Sequence, residues 1–222
     1  MSIILGYDLT TLRERFDEAA AEERLAELGE LRSRSALNEK VGLLRLLGRL
    51  DEALAIGNEA VRQARFTGDR EELLRARVRR AQVYQFQGKL EPALVEFSDC
   101  VTEAHAHGWA AAEAFALQHR GKVHFDLEDY PAARADFREA LTIRVQVKAP
   151  SEQIDSSMVA IAVAESFLER EAEANAEAPA EEPLDSADTV PRAPEAAASP
   201  EAASSGDIAP SPETAPSTET AG

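Results

Sequence analysis

The sequence is short of basic charge, lysine, cysteine and aromatic side chains, and each shortage excludes something. Against 41 Asp and Glu it sets only 24 Lys and Arg, a formal charge of −17 over 222 residues. That balance opposes nonspecific binding to nucleic acid or to an anionic membrane, both of which repel it. Lys40, Lys89, Lys122 and Lys148 are the only lysines, and the other bases are arginine. Arginine over lysine, with abundant alanine, suits a GC-rich coding sequence and points to a bacterial source. A single cysteine, Cys100, rules out an internal disulfide framework. Apolar runs extend over only a few residues, so no transmembrane helix is expected. The sequence does not open with a basic stretch followed by an apolar segment, so no secretory signal is expected and the cytoplasm is the expected compartment. Aromatics make up 5% of the chain, and alanine inflates the hydrophobic share of 44%.

Proline is scarce in one part of the chain and concentrated in the other. Residues 176–222 hold 8 of the 11 prolines, 10 acidic residues and one base, Arg192, a net −9. Leu184, Val190 and Ile208 are the only large apolar residues there. Such a segment buries too little surface to offset its ordering entropy and reads as a disordered acidic tail rich in Pro, Ala, Glu, Ser and Thr. Residues 1–175 carry a net −8 and read as one helical domain. Their long segments have helical periodicity, and none alternates convincingly as a half-buried strand would. Pro92, Pro131 and Pro150 each stand where a helix would start, a place that suits a fixed φ and a missing N–H.

Three segments align at a spacing of 40 residues. They start at Gly48 (Gly-Arg-Leu-Asp-Glu-Ala-Leu), Gly88 (Gly-Lys-Leu-Glu-Pro-Ala-Leu) and Glu128 (Glu-Asp-Tyr-Pro-Ala-Ala-Arg). Leu50, Leu90 and Tyr130 match, as do Ala53, Ala93 and Ala133, then Ala60, Cys100 and Ala140. Upstream, Val41, Ala81 and Gly121 match, as do Leu44, Tyr84 and His124. The pattern resembles the tetratricopeptide repeat family, in which small residues sit where the two helices of a repeat cross. At 40 residues the unit is longer than the usual 34 or so. Longer units of this kind resemble those of kinesin light chains, cell-polarity scaffolds and bacterial peptide-sensing regulators. Two departures are Gly57, where Phe97 and Phe137 stand in the other units, and Glu128, at a turn glycine.

The resemblance implies an all-α, right-handed superhelix of about eight helices. Its expected parts are a half-repeat helix over 8–28, repeats at about 34–68, 69–108 and 109–148, and a capping helix over 151–174. Leu9, Leu12, Phe16 and Ala19 are expected to face the stack from the first helix. Ile154, Met158, Ile161 and Leu168 are expected to do so from the last.

Little in the sequence points to chemistry. Gly88-Lys89 and Gly121-Lys122 lack the earlier glycine and the following Ser or Thr of a phosphate loop, and no dinucleotide, zinc-protease or nucleophile-elbow motif occurs. His105 and His107 would point to different helix faces, and His119 and His124 are five apart, a poor spacing for one metal. His124 stands at a core position, and the other histidines read as solvated. Cys100 reads as inert packing and Trp109 as an inter-repeat packing residue. The carboxylates read as solvated helix faces, so no enzyme, cofactor or metal is expected.

The resemblance places partner peptides in a concave groove lined by the first helix of each repeat. Carried over residue by residue, that register gives Asn38, Gly42, Arg45 and Leu46. The second repeat adds Arg75, Val78, Arg79, Gln82, Gln85 and Phe86. The third adds Phe115, Gln118, Lys122, Phe125 and Asp126. Arg45, Arg75, Arg79 and Lys122 against Asp126 give this surface +3 inside an acidic domain. Arg and Gln can hydrogen-bond the carboxylates and backbone of a peptide, while Phe86, Phe115 and Phe125 can bury its side chains. The competing reading of residues 73–80 is a solvated basic helix with i,i+4 pairs such as Glu71–Arg75. The chain therefore reads as a scaffold or adaptor for a protein or peptide partner. The alternative is a self-regulated or ligand-sensing protein whose acidic tail, or a small peptide, occupies the groove. A tail that only solubilises is also open.

Overall fold

The structure is a computed structural model, and it describes residues 3–177. In chain order these form two short strands, β1 (Ile4–Tyr7) and β2 (Glu14–Phe16), and eight helices. The helices are α1 (Glu18–Leu28), α2 (Arg34–Leu46), α3 (Leu50–Thr67), α4 (Arg70–Phe86), α5 (Leu90–His107), α6 (Ala110–Asp126), α7 (Tyr130–Gln146) and α8 (Ser151–Glu177). Each helix from α2 onward packs against the next, and α2 and α6 also touch α4, as in a stack of antiparallel helix pairs. The expected tail over 176–222 lies outside the described residues, except that Ala176 and Glu177 continue α8.

The recurring residues explain the recurring turns. Gly48, Gly88 and Glu128 all adopt left-handed backbone, with φ of 72°, 73° and 62°. Past each one the next N–H reaches back to the preceding helix, from Arg49 to Leu44, Lys89 to Tyr84 and Asp129 to His124, at 2.9 Å each. This is the helix-ending bond of the Schellman type, and it satisfies carbonyls that would otherwise be orphaned. Glu128 holds the conformation without the freedom of glycine. Asp17, Ser33, Asp69 and Asp129 start their helices by accepting a backbone N–H.

The small residues lie where helices cross. Ala53, Ala93 and Ala133 have no exposed surface, and neither have Cys100 and Ala140. Burial pushes the Cys100 thiol up to about 12, so it packs as an inert group. At Gly121 a Cβ would lie 2.6 Å from Cε1 of the fully buried Phe137 and 3.2 Å from the Ala133 carbonyl oxygen. Gly121→Ala is therefore expected to destabilise the chain by about 1–3 kcal/mol through overpacking. Gly42→Ala is the control: a Cβ there meets nothing within 4 Å, and replacing a helical glycine stabilises by about 0.5–1 kcal/mol. Paired chemical denaturation curves check both signs.

The N-terminus departs from expectation. The helix expected over 8–28 starts only at Glu18, and residues 4–16 form a hairpin. Its turn is closed by the Asp8 N–H, which donates to the Arg13 carbonyl at 2.8 Å. The Asp8 carboxylate accepts from the N–H groups of Thr10 and Thr11 and from the Thr11 hydroxyl. These local bonds compete with a helix, and Gly6 and Leu12 both have positive φ. Of the four residues expected to face the stack, Leu9 and Ala19 are exposed, Phe16 is half-buried, and Leu12 is buried. Leu12 packs with Phe125, Tyr130 and Phe137 in the core between α6, α7 and α8.

The seam of α8 is also shifted from expectation. Met158 is exposed, while Ser157, Ala160, Val163 and Ala164 are buried. Small side chains there let α8 lie close against α7. Ile161 and Leu168 pack at the margin of the same core.

Candidate functional site

Helices α2, α4 and α6 stand side by side and present Arg45, Arg79, Gln82, Gln118 and Lys122 around one cavity of about 590 Å³. The hairpin forms another wall of it, through Ile4–Tyr7 and Glu14. Part of the expected groove is thus filled by the chain itself. The Glu14 carboxylate pairs with Arg45 Nη1 and Lys122 Nζ, each at 3.1 Å, and all three side chains are about nine-tenths buried. Burial alone would raise the Glu14 carboxyl, but Lys122 and Arg45 outweigh it and hold it well below the usual carboxylate range. Burial also pushes the Lys122 ammonium below its ordinary value, against the pull of Glu14.

Beside Glu14, Arg13 spans the same surface. Its guanidinium bonds Asp126 at 2.7 Å and lies 4.3 Å from the Phe86 ring centroid, and Arg45 lies 4.4 Å from the same centroid. Asp126 also accepts from Gln85 at 2.7 Å. Phe86, Gln85, Asp126, Arg45 and Lys122 are therefore engaged by the hairpin or by each other. Phe125 does not face the groove. It is buried in the core and meets Tyr130 and Phe167 edge-on. Val78 likewise has no exposed surface and belongs to the core around α5.

The open stretch lies toward α2 and α4. A second cavity of about 670 Å³ is lined by Asn38, Gly42, Leu46, Arg75 and Arg79, among others. Arg75 is exposed and pairs with Glu71 at 2.5 Å, the i,i+4 contact expected of a solvated helix. The Asn38 amide donates to Glu72 at 2.6 Å. Arg79 differs from both. It has no ion pair or hydrogen bond among the described residues, and its nearest ring, Phe115, is 5.7 Å away. Burial, aided by Arg45 and Arg75, outweighs the opposing pull of Glu72 and Glu39 and lowers its pKa from the ordinary arginine value. Arg79 and Phe115 also line a third, smaller cavity with Ala111 and Ala112.

Two features escaped the sequence reading. His119, expected to be solvated, is buried near Phe97 and Phe115. Burial, aided by Lys122, holds it well below its usual pKa, so it is neutral. Arg144 of α7 is also buried, and its Nη1 donates to Gln118, to Ser157 and to the Gln153 carbonyl. Trp109 packs at the margin of the central core, as expected.

Residues 32–101 match the family described as tetratricopeptide repeat. No curated protein matches the chain in sequence. Among solved structures, BtubC (BKLC) from P. vanneervenii aligns with 83% of this chain and 80% of its own, at 17% identity and a TM-score of 0.50. A tetratricopeptide repeat protein from Parabacteroides merdae ATCC 43184 aligns with 72% of this chain at 21% identity and a TM-score of 0.43, and the match spans 55% of that protein. Among the described residues no helix is long and apolar enough to cross a membrane. The stacked helix pairs agree with the tetratricopeptide repeat that residues 32–101 match.

Proposed function

We propose that this chain is a cytoplasmic, non-catalytic scaffold or adaptor that holds an acidic peptide or helix of a partner protein on its concave face. Tetratricopeptide repeats are in general protein–protein interaction modules. The observation that carries the reading is Glu14. An extended segment of the chain lies on this face and seats its carboxylate between Arg45 and Lys122. The surface thus already accommodates a carboxylate carried on an extended strand. Leu12, 2% exposed, anchors the turn before that strand in the core, and the hairpin is taken as a wall of the groove. The partner is therefore assigned to the open stretch bounded by Asn38, Arg75, Arg79 and Phe115. Arg79 supplies the unpaired charge, and Phe115 supplies apolar surface. The domain is placed at about 1–175, and the acidic segment 176–222 is assigned a solubilising role.

A photo-crosslinking side chain at position 115, compared with one at the exposed Phe66, tests the assignment in extracts of the source cell. Crosslinks at 115 that disappear in high salt and are absent at 66 are the expected result. Equal capture at both positions would remove the groove from consideration.

A further inference from the structure

The cavity under the hairpin has a composition that a peptide on the open stretch does not explain. Four cations line it, namely Arg45, Lys122, Arg79 and Arg144. Arg45 and Lys122 share Glu14. The other lining carboxylate, Glu152, is exposed, and neither Arg79 nor Arg144 has a carboxylate within ion-pairing distance among the described residues. Glu72 and Glu39 offset Arg79 at longer range, whereas no carboxylate acts on the buried Arg144, and a buried cation without close counter-charge is unfavourable.

Hydrogen bonding points the same way. Arg79 Nε, Arg144 Nε, Gln82 Nε2 and Gln118 Nε2 are all buried without a partner. Buried donors are seldom left so in folded proteins. The orientation of Gln118 is fixed, because its Oε1 already accepts from Arg144 at 2.9 Å and from the Ser157 hydroxyl at 2.6 Å. The lining is therefore rich in donors and carries an excess of positive charge. A volume of about 590 Å³ lies within the range of roughly 300–1,000 Å³ common for small-molecule sites.

We propose that this cavity binds a small organic or inorganic dianion of the phosphate or dicarboxylate class, held by Arg79 and Arg144 with Gln82 and Gln118 as neutral donors. Guanidinium forks match the geometry of both oxyanions, and Phe115 offers a ring to any apolar portion. Arg79 and Phe115 border both this cavity and the open stretch, and Arg144, which lines only this cavity, distinguishes the two sites.

Thermal unfolding of the full chain in inorganic phosphate or succinate, against chloride at equal ionic strength, tests the proposal. A saturable rise in Tm of about 3 °C or more is expected once the anion is near a hundredfold excess over its Kd. Arg79→Gln, which removes no hydrogen bond or ion pair among the described residues, should abolish the rise, as should Arg144→Gln. Arg144→Gln is expected to start from a lower Tm, since Arg144 ties α7 to α8, so Arg79→Gln decides if that variant does not fold. No rise with either anion overturns the proposal, as does a rise that persists in Arg79→Gln. A rise produced only by an end-blocked oligoglutamate peptide also overturns it, and leaves the partner reading standing.

Discussion

Glu14→Ala lowers the stability of the chain by about 3–5 kcal/mol, because it leaves two buried cations without their carboxylate. The side chains of Arg45, Lys122 and Glu14 are 8%, 8% and 10% exposed, so water does little to compensate. Glu22→Ala is the contrast. Glu22 meets Arg49 at 3.7 Å with 54% of its side chain exposed, and the loss should stay below about 1 kcal/mol. The pH dependence follows from the same contact. Above its ordinary pKa of 4.5 the carboxyl is ionised in both states, and the full stabilisation is present. Its pKa is lower when folded, so the unfolded chain binds the proton first as pH falls. Stability is then lost from about pH 4.5 downward, through the folded pKa. Glu14→Gln keeps the shape, removes the charge and should flatten that part of the curve. Urea denaturation at neutral and acid pH measures both effects. A Glu14→Ala chain as stable as the parent would mean that the hairpin is not held by this triad.

The second large effect is on binding. Arg75→Glu with Arg79→Glu reverses two charges on the open stretch and should weaken capture of an acidic partner by about a hundredfold or more. Truncating or reversing an interfacial charge that meets an opposite one typically costs several kcal/mol. The fold should survive, because Arg79 makes no hydrogen bond or ion pair among the described residues and Arg75 gives up only a surface pair with Glu71. Circular dichroism verifies the fold, and recovery of the photo-crosslinked partner measures the binding. Unchanged recovery with intact helicity would move the site to another face.

The repeat was legible because its physics is local. A position that must be small, such as Ala53, Ala93 and Ala133, is small in every unit. A turn that needs left-handed backbone recurs at Gly48, Gly88 and Glu128. The hairpin was not legible in the same way. Leu9, Leu12, Phe16 and Ala19 happen to fall at the spacing of a repeat helix, although the first three lie in the hairpin and only Ala19 is helical. Signals against a helix were present in the β-branched Ile3-Ile4, in Gly6, and in Asp8 followed by Thr10 and Thr11. A local side-chain bond outweighed a periodicity built on few residues.

The site divides along the same line. Arg45, Arg79, Gln82, Gln118 and Lys122 share a register and line one cavity, because they face one way on α2, α4 and α6. It failed for Phe125 and Val78, since burial depends on what packs above a helix and not on the helix alone. A surface of +3 within an acidic domain calls for counter-charge, and by composition the acidic segment 176–222 could supply it. The counter-charge the structure shows is Glu14, which is close in space through a hairpin the periodicity hid. Arg144 was missed because it belongs to the second helix of its pair, outside the groove register.

The most direct test of the concave face as a receptor for acidic chain is the binding of degenerate peptide pools to the full-length protein. Acidic, neutral and basic pools of equal length would be compared by fluorescence anisotropy, with the parent chain and Arg79→Glu. The expected result is binding of the acidic pool alone, weakened by salt and lost in Arg79→Glu. Equal binding of all three pools, or acidic binding that Arg79→Glu leaves unchanged, would contradict it.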